Sequence, residues 1–390
     1  MSAKKKVVPS KKRKKVVKKS KKYTYNKSHL YIGLGIILCL TYIVFSPILN
    51  NGFTNWDDPK YIIDNPIIRV FDWERVKRIF TEVYFSNYQP LHLFSYALEY
   101  SYFGTDPKGY HAVSLVMHLI NTAIVVWLVK LLSKNIYVAL FAGLFFGITP
   151  MHVESVAWAA ERKDLLYAMF LFLSCGFYIK YLEQKLSLKF LLLCFLMYTL
   201  SIFSKAMAVS LAPLLVLLDV YYKRKFEWRL VLEKIPFFAL ALIMGMVSYG
   251  ASKESSSIDE SGLYTFFDRV FFASHNLLTY YLKLIIPFDQ SAFYAYPDKI
   301  DGVLPIKYYI AFVLALIFIG LVIYSLKFGR KIFTGIFFFN ITIFLVLMLI
   351  PVGPTIFSER YTYIPSVGLY WLIGTGLVYL YVEQSKKMSC

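Results

Sequence analysis

The chain has 390 residues, 58% of them hydrophobic and 17% charged, with a mean hydropathy of +0.54. Length alone would suggest two or three soluble domains, but apolar stretches of about twenty residues recur along it, each long enough to cross a bilayer core of ~30 Å. Thirteen Lys and Arg and no Asp or Glu fall in residues 1–30, so most of the net charge of +19 belongs to the N-terminal tail and only +6 to the rest.

Residues 1–29 read as a basic cytoplasmic tail. A Lys-rich arm can serve nucleic acid. This one runs straight into a span, which favours anionic lipid headgroups instead, and no nucleic-acid partner is expected. It is too long and too charged for a signal peptide. The positive-inside rule puts the N-terminus in the cytoplasm. A first span at 30–49 exits outward into an outer loop, 50–110, that opens with a polar stretch. Within it, residues 74–85 predict a short amphipathic surface helix and 91–103 an aromatic interfacial one. Spans follow at 111–132, 136–149, 165–182, 188–204, 207–222 and 235–251. A second polar outer segment occupies 150–164, and a tight outer hairpin forms at Ser204 and Lys205.

Residues 263–287 are apolar but interrupted by Asp268, Arg269, His275, Asn276 and Lys283. A crossing there would strand Lys327, Arg330 and Lys331 outside, against the charge bias. A re-entrant or outer-interface placement keeps them inside and is preferred. Spans at 307–326, 332–350 and 366–382 complete a membrane domain over 30–382, and 383–390 is a short cytoplasmic tail. The predicted fold class is an all-α polytopic membrane protein of about ten or eleven transmembrane helices with outer-face interfacial helices. Four cysteines, three of them in apolar runs, suggest neither a disulfide framework nor a zinc site.

Unusual polar residues gather on the outer side, in 55–65, 86–92, 150–164 and 353–365. Asp57 and Asp58 follow Trp56 just past the first span. Mutual repulsion and interfacial burial both raise carboxylate pKa values, and a carboxylate so tuned suits a general base for a hydroxyl. An Asx-rich turn is the plainer reading of such a pair, but its position favours function. His152 and Glu154 could join Asp57 in a site or bind a metal, which needs three or more suitable ligands. Lys205, in the outer hairpin, and Arg360, before the last span, offer contacts for an anionic headgroup; Arg suits phosphate with its fork of donors. His111 and His118 are about 10 Å apart along one helix face, too far to share an ion, and no metal or other cofactor is expected.

Taken in order, Trp56-Asp57-Asp58-Pro59-Lys60-Tyr61-Ile62-Ile63-Asp64-Asn65-Pro66, Tyr88-Gln89-Pro90-Leu91, Gly109-Tyr110-His111 with His118, Pro150-Met151-His152-Val153-Glu154-Ser155-Val156-Ala157-Trp158 and Arg360-Tyr361-Thr362-Tyr363-Ile364-Pro365-Ser366 resemble a known family. It is the membrane part of the transmembrane and tetratricopeptide-repeat-containing (TMTC-type) proteins and their bacterial relatives. The resemblance implies a GT-C fold glycosyltransferase that takes a sugar from a polyprenyl-phosphate carrier on the outer or lumenal face. In the eukaryotic members the sugar is mannose from dolichyl phosphate and the acceptor a protein Ser or Thr. The family's acidic pair maps onto Asp57 and Asp58. Two departures stand out. Gln89 replaces the Arg expected in a Tyr-Arg-Pro-Leu run, and the chain stops at Cys390, without the last span and the repeat domain that would present a protein acceptor.

The combined expectation is an inverting hexosyltransferase in the plasma (inner) membrane of a bacterium, with its active site extracytoplasmic. Asp57 or Asp58 is the base. Trp56, His152, Glu154, Arg162, Lys205, Arg360 and Tyr361 bind substrate. The partners are a polyprenyl-phosphate-linked sugar, a protein or glycolipid acceptor, and membrane lipids. A polyprenyl-lipid transporter or flippase is the rival, but transporters tend to carry paired repeats and midplane polar sites, and neither is visible.

Overall fold

The computed structural model describes residues 27–254, 263–327, 329–350 and 353–388; the basic tail over 1–26 lies outside them. Each apolar run of the sequence becomes a helix, because a backbone in hydrocarbon must satisfy its own hydrogen bonds. The helices are α1 (Lys27–Phe45), α2 (Trp73–Thr81), α3 (Pro90–Phe103), α4 (Pro107–Ser133), α5 (Ile136–Ile148), α6 (Val153–Ala157), α7 (Arg162–Glu183), α8 (Leu188–Ser204), α9 (Leu211–Tyr221), α10 (Trp228–Glu254), α11 (Phe266–Ile285), α12 (Ile306–Tyr324), α13 (Arg330–Ile343) and α14 (Ser366–Met388). No strand occurs among the described residues, only isolated bridges such as Tyr294 with Phe357.

Five segments are long and apolar enough to cross a membrane by length and composition: Lys27–Asn50, Pro107–Ser133, Ala159–Glu183, Trp228–Lys253 and Ile306–Lys327. Every predicted span has its helix, but several are short. α8 has 17 residues and α9 has 11, below the ~20 that a straight crossing takes. α5 and α6 bend by 57° at Pro150. Proline cannot donate to the preceding turn, and it drives the residue before it into extended geometry; Thr149 has ψ 133°.

α7 is the central element and packs against α4 and α8, while α14 lies between α5 and α13. The α4–α5 turn is set by Lys134 in the left-handed region (φ 56°) and by Asn135, whose side chain caps α5 at Tyr137 N. α10 is pinned by buried charge: Lys234 meets Asp219 at 2.8 Å, and Tyr178 donates to Asp219 at 2.6 Å. The surface helix predicted at 74–85 is α2. Asp72 caps it at Arg75 N; Ile79 turns inward while Trp73 is 81% exposed.

α11 fills the segment preferred as re-entrant. A Thr265–Asp268 capping box starts it. After Ile285 the chain doubles back as an irregular strip, whose Lys299 reaches Asp268 at 2.7 Å and whose Tyr296 stacks on Tyr264. α12 then runs parallel to α11, with Phe271 on Tyr309 and Tyr281 on Phe318. Both helices therefore start at the same end of the bundle. That arrangement carries Lys327 and Arg330 to the end where Lys134 and Lys223 lie.

Candidate active site

The four polar clusters do meet, at the end of the bundle formed by the starts of α3, α4 and α7 and the region before α14. A cleft of about 470 Å³ opens there between Thr54, Asn55 and Trp56 on one side, Glu154 and Trp158 on another, and Gln290 with Glu359 on a third. Trp56, 43% exposed, meets Trp158 edge to face at 5.2 Å. The cleft therefore has an aromatic wall and acidic corners.

The acid pair divides. Asp58 is fully buried and saturated: Thr54 N at 2.7 Å and Thr54 Oγ1 at 3.0 Å donate to Oδ2, and Ala160 N at 2.8 Å donates to Oδ1. It ties the first outer loop to the segment before α7. Asp57, next to the cleft-lining Trp56, is half-buried, and its carboxylate accepts no hydrogen bond among the described residues. Partial burial raises its pKa above the ordinary Asp value. The Lys163 ammonium pulls the other way, Glu161 and Asp58 push it up further, and Arg360 lowers it.

Behind Asp57 lies a charge network centred on Glu161, which the sequence did not single out as a site residue. Glu161 pairs with Lys163 at 3.1 Å, Lys205 at 3.5 Å and Arg360 at 3.6 Å. Lys205 also meets Asp164 at 2.5 Å, and Ser155 donates to Asp164 at 3.2 Å. Glu154 pairs with the Arg360 guanidinium and accepts from Arg360 N at 3.0 Å. Arg360 lies 5.5 Å from the Trp158 ring and 4.9 Å from Tyr361. Three cations, Lys163, Lys205 and Arg360, thus face four acids: Asp57, Glu154, Glu161 and Asp164. A second pair, Lys283–Glu359 at 3.1 Å, joins α11 to the cleft and is closed by Tyr294, which donates to Glu359 at 2.6 Å.

Of the predicted site residues, Trp56 and Glu154 line the cleft; Arg360 and Lys205 lie in the charge network behind it, with Tyr361 against both, and two predicted substrate ligands are enclosed elsewhere. Arg162 is wholly enclosed. It pairs with Glu99, donates to Tyr110 O at 2.6 Å and lies over the Tyr96 ring at 5.0 Å, so its guanidinium braces α7 against α3 and α4. His152 is also wholly buried. Phe146 O lies 3.0 Å from its Nδ1 and Ser366 Oγ 3.3 Å from its Nε2, and its ring packs on Tyr363 and His118. Neither side chain has a face left for a ligand. Among the described residues, no three His, Cys, Asp or Glu side chains converge as metal ligands. The signal for Glu161 and Lys163 was present, in four consecutive charges opening an apolar helix. The partners of Glu161 at 205 and 360 were not readable.

No protein-family profile matches the chain. It is 26% identical over 241 residues to the protein O-mannosyl-transferase F38B6.6 of Caenorhabditis elegans, a match covering 58% of this chain and 34% of that protein. It is 32% identical over 99 residues to human protein O-mannosyl-transferase TMTC2, covering 25% of this chain and 12% of that protein. The matches span at most about a third of the length of these relatives. In structure, the chain superposes over 93% of its length on the Archaeoglobus fulgidus oligosaccharyltransferase AglB, solved with an inhibitory peptide and a dolichol-phosphate. The TM-score is 0.51 at 11% identity, with 52% of that chain covered. In sequence, then, the chain is similar to the TMTC-type protein O-mannosyl-transferases, and in fold it is an all-α, polytopic protein like the GT-C oligosaccharyltransferases.

Proposed function

We propose that the protein is an integral-membrane glycosyltransferase which moves a hexose from a polyprenyl-phosphate carrier to an acceptor hydroxyl at the extracytoplasmic face, with inversion. The observation that carries this reading is the Asp57 carboxylate, which accepts no hydrogen bond among the described residues, following the cleft-lining Trp56 and within the electrostatic reach of Lys163 and Arg360. Asp57 takes the acceptor proton as the acceptor oxygen attacks the anomeric carbon. The bond from that carbon to the carrier phosphate breaks, and the phosphate leaves with the bonding pair. Asp58 holds the loop that aims its neighbour. Trp56 and Trp158 offer faces for the sugar ring.

Phosphate charge is met chiefly by Arg360. Lys163 and Lys205 are compensated by Glu161 and Asp164, whereas the Arg360 pairs use Nη1 and Nε and, among the described residues, leave Nη2 without an ion-pair partner. A preorganised donor in a poorly solvated site stabilises developing charge better than water does. The likeness to O-mannosyl-transferases favours mannose as the sugar and a protein Ser or Thr as acceptor; the dolichol-phosphate bound by AglB favours a polyprenyl-phosphate donor.

The test is purified protein with polyprenyl-phosphate mannose, reading release of mannose to water or to an acceptor peptide. Turnover that is lost in Asp57→Asn supports the proposal. Movement of the intact glycolipid across a vesicle membrane without sugar release would overturn it in favour of a transporter.

A further inference from the structure

At the far end of the bundle from the cleft, a second depression of about 610 Å³ lies where α4, α9, α12 and α13 come together. α4 passes the cleft-lining Gly52 at His111 and reaches the depression at Leu132, so the two lie toward opposite ends of this helix. Five cations line the depression, Lys134, Lys223, Lys327, Arg330 and Lys331, and no acidic residue does. Of these, among the described residues, only Lys134 has an ion-pair partner, Glu183.

Three of the cations have an ordinary explanation. Lys134, Lys223 and Lys327 follow the C-terminal ends of α4, α9 and α12, where positive charge offsets exposed carbonyl dipoles. Arg330 and Lys331 do not, because they open α13. Arg330 donates to Val220 O at 2.6 Å, which fixes its guanidinium on the wall. The rest of the lining is apolar or aromatic. Leu132 and Leu326 face the space, and the Tyr221 ring is held by its hydroxyl donating to Leu132 O at 2.9 Å. Free phosphate would use only the cationic rim. A phospholipid uses both parts, with its phosphate on the cations and its glycerol and first acyl carbons on the leucine and tyrosine wall.

We propose that this depression binds the phosphate headgroup of an anionic phospholipid. Basic pockets between membrane helices are suited to such headgroups. The site is independent of the transfer chemistry, since it shares no residue with the cleft.

The test is native mass spectrometry of the full chain in detergent with added cardiolipin, phosphatidylglycerol or phosphatidylcholine, and in parallel with inorganic phosphate. The anionic lipids are expected to stay bound and phosphatidylcholine to be lost. Arg330→Gln with Lys331→Gln should weaken retention by about tenfold or more. Lys185→Gln with Lys189→Gln, exposed charges at the same end but outside the depression, should leave it unchanged. Equal loss in both double variants, equal retention of phosphatidylcholine, or displacement of the lipid by an equal concentration of inorganic phosphate would each overturn the proposal. Should the Arg330 variant not fold, the wild-type protein still decides. Its melting temperature should be higher in cardiolipin nanodiscs than in phosphatidylcholine ones, and identical melting in the two would count against the site.

Discussion

Asp57 and Asp58 are neighbours in the chain with opposite surroundings. Three donors hold Asp58, and among the described residues none reaches the Asp57 carboxylate. Asp58→Asn removes an acceptor oxygen from a buried, saturated position, which should cost about 1–3 kcal/mol and lower both the melting temperature and the rate. Asp57→Asn should behave differently. The rate should fall by about 10²-fold or more through loss of the base, with melting unchanged or raised, because a partly desolvated charge is replaced by a neutral group. Thermal unfolding beside single-turnover transfer separates the two; a destabilised, fully active Asp57→Asn protein would refute the assignment. The raised Asp57 pKa gives a signed pH effect. Below the ordinary Asp value both the folded and unfolded chains hold the proton, so there is no contribution. Above it the unfolded chain ionises first, so this group lowers stability until the folded pKa is passed, and stays constant beyond. Activity needs the ionised form, so the acid limb of kcat/KM should lie at higher pH than an unperturbed Asp would give. A limb at the ordinary Asp position would mean that another group titrates.

Between elements, small residues and buried charges set how the helices cross. A Cβ on Gly368 would stand 2.4 Å from Gly335 O and 3.1 Å from Phe339 N, so α13 and α14 touch through backbone, whereas Gly376 on the same helix faces open space. Gly368→Ala should lose about 1–3 kcal/mol to overpacking. Gly376→Ala should be neutral or gain up to ~1 kcal/mol from helix propensity. Melting of the two proteins in one detergent checks the contrast. Arg162 and Glu99 make the corresponding case for charge. Arg162→Met alone leaves a buried carboxylate unpaired, at about 3–5 kcal/mol, while Arg162→Met with Glu99→Met should recover most of that loss. These pairings mark the limit of the sequence. Helix positions were legible because apolar length alone demands a helix in hydrocarbon, and the outer clusters were legible because charge beside such a run is unusual. Arg162 reads as a substrate ligand because nothing near it in sequence shows that residue 99 comes within reach. His152 looked available because its aromatic box is assembled from residues 118, 146 and 363.

Across the whole molecule the charges separate into two kinds of end. One carries acids and cations in compensated pairs around a cleft; the other has compensated pairs too, such as Lys234–Asp219 and Arg224–Glu233, but also a depression lined by five cations and no acid. The parallel run of α11 and α12 makes this separation possible. An extra crossing at 263–287 would have moved Lys327, Arg330 and Lys331 to the cleft's end, where they would add uncompensated charge near Glu359. The short α8 and α9 fit the same picture. Their hairpin turns at Lys205, which is buried in the network and satisfied by Asp164, so the turn is solvated by protein rather than by water. The positive-inside rule predicts a cytoplasmic cation-rich end and an outward-facing cleft. Single cysteines can test this in a protein with Cys39 and Cys390 replaced by Ser; Cys175 and Cys194 are buried and can stay. Asn55→Cys, exposed at the cleft mouth, should react with a membrane-impermeant maleimide in intact cells. Lys185→Cys, beyond the end of α7, should react only after permeabilisation. Labelling of Lys185→Cys but not Asn55→Cys in intact cells would turn the molecule over and place the cleft, with any transfer it performs, in the cytosol.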